Sequence, residues 1–305
     1  MKQHAKLGIA LGSGAAKGWA HIGVLKALAR LGIYPDVVAG CSIGALVGAA
    51  YACGQLGQME TWVRGFTRLQ VMKLLDWRLD GRGLVRGERV FNQIAKGMRF
   101  KSFEELQLPF GVVATEFHTG RELWLQQGEM IPAVRASCAM PGLFVPVHYQ
   151  GQLLIDGAVV NPVPVTLARA LGADVVIAVN LAADMRGYRP DELVEEEIAE
   201  ESNVISQWFG RLLPEREAEA PIPSMWNVMG GAIDIMQQRI TRTRMAGEPP
   251  EVELRPRLAD ISIMEFHRAE EAIMEGERCV ERMADFLLGE LAFLGIKPRP
   301  PLSTG

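Results

Sequence analysis

Short apolar runs alternate with helical patterns along the first part of the chain. The run Leu7–Leu11 ends at a glycine and predicts a buried strand. Residues 16–31 then repeat apolar side chains at helical spacing until Gly32. Residues 36–39 and 174–181 predict two further short strands. Because buried strands interleave with helices, the pattern predicts an α/β fold with a largely parallel sheet.

The pattern changes in the C-terminal part of the chain. Residues 191–201 hold seven acidic side chains in eleven positions, a composition typical of a solvated face. Residues 224–245 place apolar side chains on one helical face, and residues 264–288 form a charged amphipathic pattern. We therefore predict an α/β domain over residues 5–182. A mainly helical extension, packed on or near the core, is predicted over residues 183–305.

Composition and charge mainly serve to exclude certain classes of protein and of binding site. The 305 residues are 49% hydrophobic and 22% charged, which is typical of a globular protein. The net charge of −4 provides no basic field, so we expect no nucleic-acid partner. The four cysteines lack paired spacing, so neither a zinc site nor a disulfide framework is expected. No apolar stretch approaches the ~18 residues of a membrane span and no signal peptide is evident, so we expect a soluble, cytoplasmic protein.

Residues 40–44 carry a G-x-S-x-G pattern between a predicted strand and a predicted helix. Gly40 and Gly44 leave space on both sides of Ser42, and a tight turn there exposes the serine hydroxyl. The helix N-terminus below it favours developing negative charge. The motif therefore predicts a nucleophilic serine. The alternative is a glycine-rich turn that only packs a helix on a sheet.

A second glycine-rich turn, at residues 12–18, also lies between a strand and a helix. A phosphate-binding P-loop needs Gly-Lys-Ser/Thr, but Lys17 is followed by Gly18. A dinucleotide fingerprint needs a glycine where Lys17 stands. The third interpretation is an oxyanion hole made of backbone N–H groups at a helix N-terminus. The turn alone does not decide among the three, and a neighbouring nucleophile favours the third.

Two arrangements of the base for Ser42 stay open on the residues alone. The triad order of an α/β-hydrolase would use Asp156 and His267, but too few strands precede Ser42 for that fold. Asp156 by itself follows the predicted strand 152–155, and Gly157 lets the chain turn there. An aspartate acting alone needs a short distance, burial and a raised pKa. The simpler interpretation of Asp-Gly is a common turn.

Four motifs, taken together and in this order, resemble those of the patatin-like phospholipase family, in particular its bacterial cytosolic branch. They extend over residues 7 to about 180. The motifs are residues 11–25, residues 40–44, residues 135–147, and residues 156–158 followed by Asn161 and Pro162.

The resemblance implies a three-layer α/β/α sandwich with a mostly parallel sheet, related to calcium-independent cytosolic phospholipase A2, plus the helical C-terminal extension. It also implies a Ser–Asp dyad without a histidine. Ser42 would be the nucleophile and Asp156 the general base. The backbone donors of the oxyanion hole would come from Ser13, Gly14 and Ala15.

The oxyanion loop departs from the family pattern. The family typically has three consecutive glycines, whereas this chain has Ser13, Gly14 and Ala15. Lys17 occupies the position where the family usually has Arg or Lys. The backbone N–H donors remain when side chains are added, but serine and alanine restrict φ more than glycine does. We therefore expect a tighter hole or one of altered geometry, which would affect the rate and the size of the substrate more than the dyad. The departure also motivates a weakly active or inactive regulatory or interaction protein as an alternative.

These observations lead us to expect a serine acyl hydrolase of lipid esters that forms an acyl-enzyme and needs no metal or cofactor. Its partner would be a lipid or fatty-acyl ester, with transient contact to a membrane surface and homo-oligomerisation as further expectations. A general carboxylesterase or thioesterase is another alternative. The apolar face of residues 224–245 would shield the site or form a subunit contact, unless it packs on the back of the sheet.

Overall fold

The computed structural model describes residues 5–74, 87–184 and 225–300. Its centre is an eight-stranded sheet in which the strands follow the order β5-β6-β3-β2-β1-β7-β8, with β4 paired to β3. The strands are β1 (Leu7–Leu11), β2 (Val37–Cys41), β3 (Phe110–Glu116), β4 (Glu122–Leu125), β5 (Val147–Tyr149), β6 (Gln152–Asp156), β7 (Val175–Val179) and β8 (Val252–Leu254).

Helices cover this sheet and fill most connections between its strands. Short 3₁₀ turns occupy Ala15–Trp19, Phe103–Glu105, Gly157–Val159 and Phe266–Arg268. The α-helices of the described residues are α1 (Ala20–Arg30), α2 (Ile43–Ala52), α3 (Leu56–Arg64), α4 (Arg68–Leu74), α5 (Glu88–Gly97), α6 (Met130–Ser137), α7 (Val165–Ala170), α8 (Met225–Gly247), α9 (Ala269–Arg282) and α10 (Ala284–Phe293).

The central strands are buried on both faces, as parallel strands covered by helices must be. Every position of β1, β2 and β7 is buried. Ile9 of β1 packs with Leu25 of α1, whereas its neighbour Ala10 packs with Leu167 of α7 in a separate cluster. Alternate side chains of one strand thus enter two helical layers. The predicted α/β/α fold with a mostly parallel sheet and a helical C-terminal region is confirmed.

The register at β3 brings two strand ends together. Strand β2 runs parallel to β3 and ends with Cys41 beside Val113, while β6 runs antiparallel and ends with Asp156 beside Ala114. Strand β4 pairs with the same two β3 residues and occupies their other edge. Strands β2 and β6 therefore approach each other along one edge of β3. The residue that follows Cys41 and the last residue of β6 must meet.

The C-terminal part of the chain contributes directly to this core. Strand β8 pairs in parallel with β7, and α9 packs against α1. Two glycines allow that close helix contact, because a Cβ on Gly23 would lie 1.9 Å from the Ile273 carbonyl oxygen, and one on Gly276 would lie 2.0 Å from the Ala20 oxygen. No helix of the described residues is long and apolar enough to cross a bilayer.

The chain divides into two compact units. One consists of Met1–Asp184 with Gln237–Gly305, and the other of Met185–Met236. Helix α8 contributes residues to both. The acidic stretch 191–201 lies outside the described residues. The predicted division into residues 5–182 and 183–305 stays a prediction.

Candidate active site

Ser42 occupies a sharp turn between β2 and α2. Its backbone has φ 54° and ψ −123°, a conformation that is costly for a residue with a side chain. The flanking glycines make the turn possible. A Cβ on Gly40 would lie 2.6 Å from the Ala45 Cα atom, and one on Gly44 would lie 2.1 Å from the Leu11 carbonyl oxygen. Residues larger than glycine at positions 40 and 44 would therefore prevent the backbone conformation from which the Ser42 hydroxyl projects.

The Ser42 hydroxyl donates a hydrogen bond of 2.7 Å to Oδ2 of Asp156. The carboxylate is 2% exposed and is held by its surroundings. Its Oδ1 accepts a 2.8 Å hydrogen bond from the Ala158 N–H. The Asp156 backbone accepts from the Thr115 hydroxyl at 2.8 Å and donates to the Ala139 carbonyl at 2.9 Å. The structure thus brings together the serine and the aspartate that the sequence motifs singled out.

Two further residues hold the dyad from behind. Gly157 crosses β3 closely, since a Cβ there would lie 2.2 Å from the Val113 carbonyl oxygen. The Ser42 N–H donates a 2.9 Å hydrogen bond to the hydroxyl of Ser137, which is completely buried at the end of α6. Sequence reasoning did not single out Ser137, although it lies within the motif at residues 135–147. Nothing in the motif alone indicates that its hydroxyl faces Ser42.

Burial raises the pKa of the Asp156 carboxyl from 3.8 to about 7, while the hydrogen bonds from Ala158 and Ser42 act in the opposite direction. A base whose pKa lies close to neutrality can accept a proton and release it again at physiological pH. The Asp156 carboxylate therefore meets the three requirements of an aspartate that acts alone, which are a short distance, burial and a raised pKa.

Among the described residues, no histidine makes a hydrogen bond to Ser42 or Asp156. Nε2 of His21 lies 2.8 Å from the Gly12 carbonyl oxygen, and burial lowers the pKa of this histidine to about 4. His267 contacts Arg68 at the surface, where the guanidinium Nε donates to its Nε2 at 3.2 Å. The arrangement does not provide the third member of a Ser–His–Asp triad.

The loop after β1 offers two backbone N–H groups to the site. The Ser13 N–H donates to the Pro162 carbonyl at 2.8 Å, so this expected oxyanion donor is already engaged. The N–H groups of Gly14 and Ala15 have no hydrogen-bond partner within the described part of the chain. Ala15 has φ 48°, and it lines the same cavity as Ser42. The loop thus keeps free donors despite its serine and alanine.

Helix α8 contacts this loop through its C-terminal half. The Ser13 hydroxyl donates a 2.9 Å hydrogen bond to the side-chain carbonyl of Gln237. Next to it, the Gln238 amide donates to the Ala182 carbonyl at 3.4 Å. The serine that replaces the family glycine therefore forms a contact with the C-terminal part of the chain.

An apolar cavity, here called the front cavity, opens beside Ser42. It is bounded by α2, α3, α4 and α5, the loop after α6, and the 3₁₀ turn at Phe266–Arg268. The residues Gln237–Gly247 of α8, which belong to the same compact unit, do not line it. The expectation that residues 224–245 shield the site or form a subunit contact stays a prediction. An amphipathic pattern indicates a buried face but does not indicate the surface it covers. The lining includes Trp19, Leu46, Trp62, Phe66, Phe91 and Leu143.

Comparison with known proteins identifies the family. The family model described as patatin-like phospholipase matches residues 9–169, more than half of the chain. The chain belongs to the patatin-like phospholipase family. This membership supports lipid hydrolase activity in general.

Relatives of this patatin-like chain include bacterial and mammalian proteins. An uncharacterized NTE family protein of Mycobacterium tuberculosis is 29% identical over 89% of this chain and 89% of that protein. Patatin-like phospholipase domain-containing protein 7 of Mus musculus is 28% identical over 79% of this chain and 17% of its own length. Patatin-like phospholipase domain-containing protein 6 of Homo sapiens is 32% identical over 58% of this chain and 13% of its own length. The two mammalian matches therefore concern only a small part of longer proteins.

A solved structure supports the patatin-like fold. The crystal structure of VipD from Legionella pneumophila superposes with a TM-score of 0.55, covering 93% of this chain and 67% of that chain. The sequence identity is 14%, so the likeness concerns the fold alone.

The remaining patatin motif residue, Lys17, has a less defined position. Its backbone N–H donates to the Gly14 carbonyl at 3.1 Å, which closes the turn after the oxyanion loop. No hydrogen bond or ion pair of its ammonium group is present among the described residues.

The described residues also contain no cluster of three or more His, Cys, Asp or Glu that could hold a metal ion.

Proposed function

We propose that the protein is a serine acyl hydrolase that cleaves fatty-acyl esters of lipids, with Ser42 as nucleophile and Asp156 as general base. One observation carries the proposal. The Ser42 hydroxyl lies 2.7 Å from a buried carboxylate whose pKa is raised to about 7, at the end of an apolar cavity. Family membership supports the lipid class of the substrate.

In the first step Ser42 Oγ attacks the ester carbonyl carbon while Asp156 Oδ2 accepts the hydroxyl proton. The carbonyl oxygen becomes an oxyanion, and the free N–H groups of Gly14 and Ala15 donate to it. Loss of the alcohol, which takes the proton from Asp156, leaves an acyl ester on Ser42.

The second step reverses these roles with water. Asp156 accepts a proton from water, and the resulting hydroxide attacks the acyl carbonyl carbon. The same N–H groups stabilise the second oxyanion. Its collapse releases the fatty acid and returns the proton to Ser42 Oγ. A single carboxyl group with a pKa close to neutrality can serve both steps.

The surroundings of the front cavity support contact with a lipid surface. Leu69 and Met72 of α4 are 73% and 54% exposed, and α4 also contributes Val71 and Leu74 to the cavity lining. We include transient membrane contact through this helix in the proposal. A cytoplasmic location also belongs to it, because all four cysteines are free and buried, as expected in a reducing compartment.

Labelling with a fluorophosphonate probe tests the nucleophile. We expect stoichiometric labelling of the wild-type chain at Ser42, identified by mass spectrometry of its peptide, and no labelling of Ser42→Ala. Labelling of Ser42→Ala at an unchanged rate, or hydrolysis of p-nitrophenyl butyrate by that variant at the wild-type rate, would reject Ser42 as the nucleophile. Ser102→Ala is the control, because it removes a serine hydroxyl that donates to Glu105 and makes no hydrogen bond to Ser42 or Asp156. It should be labelled like the wild-type chain.

A further inference from the structure

A second cavity, here called the rear cavity, lies next to the front cavity. The side chain of Trp62 borders both. The rear cavity is lined by the buried apolar side chains Met59, Ile94 and Met98, and also by Gln55, Gln58 and Gln93. Its apolar part, next to the cavity of Ser42, can take the end of an apolar ligand that is too long for the front cavity.

The same helices line both cavities, one after the other. On α2, Leu46 lines the front cavity and Ala50, one turn later, lines the rear. On α5, Phe91 lines the front cavity and Ile94 lines the rear, as does Met98 just beyond the end of the helix. Residues three and four apart lie on one helix face. The two cavities therefore form successive sections of one groove that runs away from Ser42.

Helix α3 supplies the partition between these sections. Phe66, just beyond its end, lines the front cavity, Trp62 borders both cavities, and Met59 lines the rear. The Trp62 ring packs edge-on against Phe66, with ring centroids 4.8 Å apart. Its indole N–H makes no hydrogen bond within the described residues, in contrast to Trp19, whose indole N–H donates to a backbone carbonyl. Among the described residues, only apolar contacts hold the Trp62 ring in place, so the ring can rotate away from the boundary between the two cavities.

We propose that the rear cavity is a distal subsite for long acyl chains and that Trp62 is the gate in front of it. This inference rests on the proposed ester hydrolysis at Ser42. Ala50 lies eight positions after Ser42, or about 12 Å along the axis of α2. Carbon–carbon bonds of about 1.5 Å give a chain of on the order of ten carbons for that span. Short acyl chains end in the front cavity, and longer chains displace the Trp62 ring.

Gly97 provides a way to fill the rear cavity without disturbing the fold. It lines this cavity, and a Cβ added to it meets no atom within 4 Å. We expect Gly97→Leu to lower kcat/KM for p-nitrophenyl laurate by about tenfold, while the value for p-nitrophenyl butyrate changes less than about twofold. Gly57→Leu is the matched control, because Gly57 is equally open on α3 and lines neither cavity. It should leave both values unchanged.

Trp62→Ala tests the gate from the other direction. Removal of the ring should raise the laurate-to-butyrate ratio of kcat/KM by about tenfold, because a long chain no longer displaces it. The inference is overturned if Gly97→Leu and Trp62→Ala both keep the wild-type ratio. A wild-type chain that hydrolyses none of the esters would instead reject the proposed function, and the subsite with it.

Discussion

The turn after β2 and the turn after β1 both lead from a parallel strand into helical structure, yet they depend on different contacts. The turn that carries Ser42 is shaped by close backbone contacts of Gly40 and Gly44 with α2 and β1. The turn that carries Gly14 is held by hydrogen bonds to residues that are distant in the sequence. The Ser13 N–H donates to Pro162, and the Ser13 hydroxyl donates to a residue 224 positions later in the chain.

This difference separates the contacts that shape the proposed nucleophile from those that adjust the proposed oxyanion hole. Close steric contacts at the first turn allow one backbone conformation, so substitutions there should affect both folding and chemistry. The second turn is held by hydrogen bonds to distant residues, one of which joins two side chains, and such a bond contributes about 1 kcal/mol. Substitutions of those partners should change the reaction rate and leave the fold intact.

The largest effect is expected at the base that faces the first turn. Asp156→Asn should lower kcat/KM for p-nitrophenyl butyrate by about 10³-fold or more, because the amide cannot accept the Ser42 proton. The control His267→Ala removes a half-buried histidine that makes no hydrogen bond to the dyad, and it should retain activity within about twofold. A loss in His267→Ala as deep as in Asp156→Asn would favour a triad.

Activity should depend on the ionisation of Asp156. Because the base must be deprotonated and its pKa is about 7, kcat/KM should fall about tenfold per pH unit below that value and level off above it. A profile that stays flat from about pH 5 to pH 8 would contradict this assignment.

The same pKa also predicts how stability changes with pH. The folded chain binds the Asp156 proton more tightly than the unfolded chain, so its contribution to the free energy of unfolding is present at low pH and is lost as pH rises through about 7. Urea denaturation of the wild-type chain and Asp156→Asn at several pH values measures this contribution. The difference between the two chains should shift in favour of the variant as pH rises from 3.8 to about 7, and it should stay constant above that range.

The free energy of unfolding measures how strongly the first turn depends on the small size of its glycines. Gly44→Ala places a methyl group 2.1 Å from the Leu11 carbonyl oxygen and should lower the free energy of unfolding by about 3 kcal/mol. The matched control Gly57→Ala meets open space on α3 and should raise that free energy by about 0.5–1 kcal/mol. Equal stability of both variants would show that the turn tolerates side chains.

The smallest effect is expected at the second turn. Gln237→Ala removes the partner of the Ser13 hydroxyl and should lower kcat about fivefold, the equivalent of one hydrogen bond. KM should stay nearly unchanged, and the free energy of unfolding should fall by no more than about 1 kcal/mol. Ser13→Gly should behave alike, and the double variant should be no slower than either. Gln238→Ala, whose amide contacts Ala182, is the control. Independent, multiplying losses would show that Ser13 and Gln237 act separately.

The wall of the front cavity shows where sequence reasoning reached its limit. The apolar stripe at residues 224–245 predicted a helix, and α8 occupies Met225–Gly247. The described lining of the front cavity comes from elements such as α4 and α5, whose segments carried no distinctive motif. Periodicity shows which face of a helix is buried, but the covering surface depends on the packing of distant segments.

Local sequence determined the parts of this protein that act over a few residues. The run Leu7–Leu11 forms β1 as predicted, and the glycines around Ser42 and after Asp156 stand where a Cβ would strike neighbouring backbone. Steric exclusion and short-range periodicity act through adjacent atoms, so they can be seen in the sequence.

The tertiary structure decided the chemistry of the site. Ser42 and Asp156 are 114 positions apart, and they meet because β2 and β6 end against neighbouring residues of β3. Burial at that junction raises the pKa of the Asp156 carboxyl, and the Pro162 carbonyl engages the Ser13 N–H while those of Gly14 and Ala15 stay available. Strand register, desolvation and hydrogen-bond competition depend on which distant segments come together, because each is a property of the assembled fold.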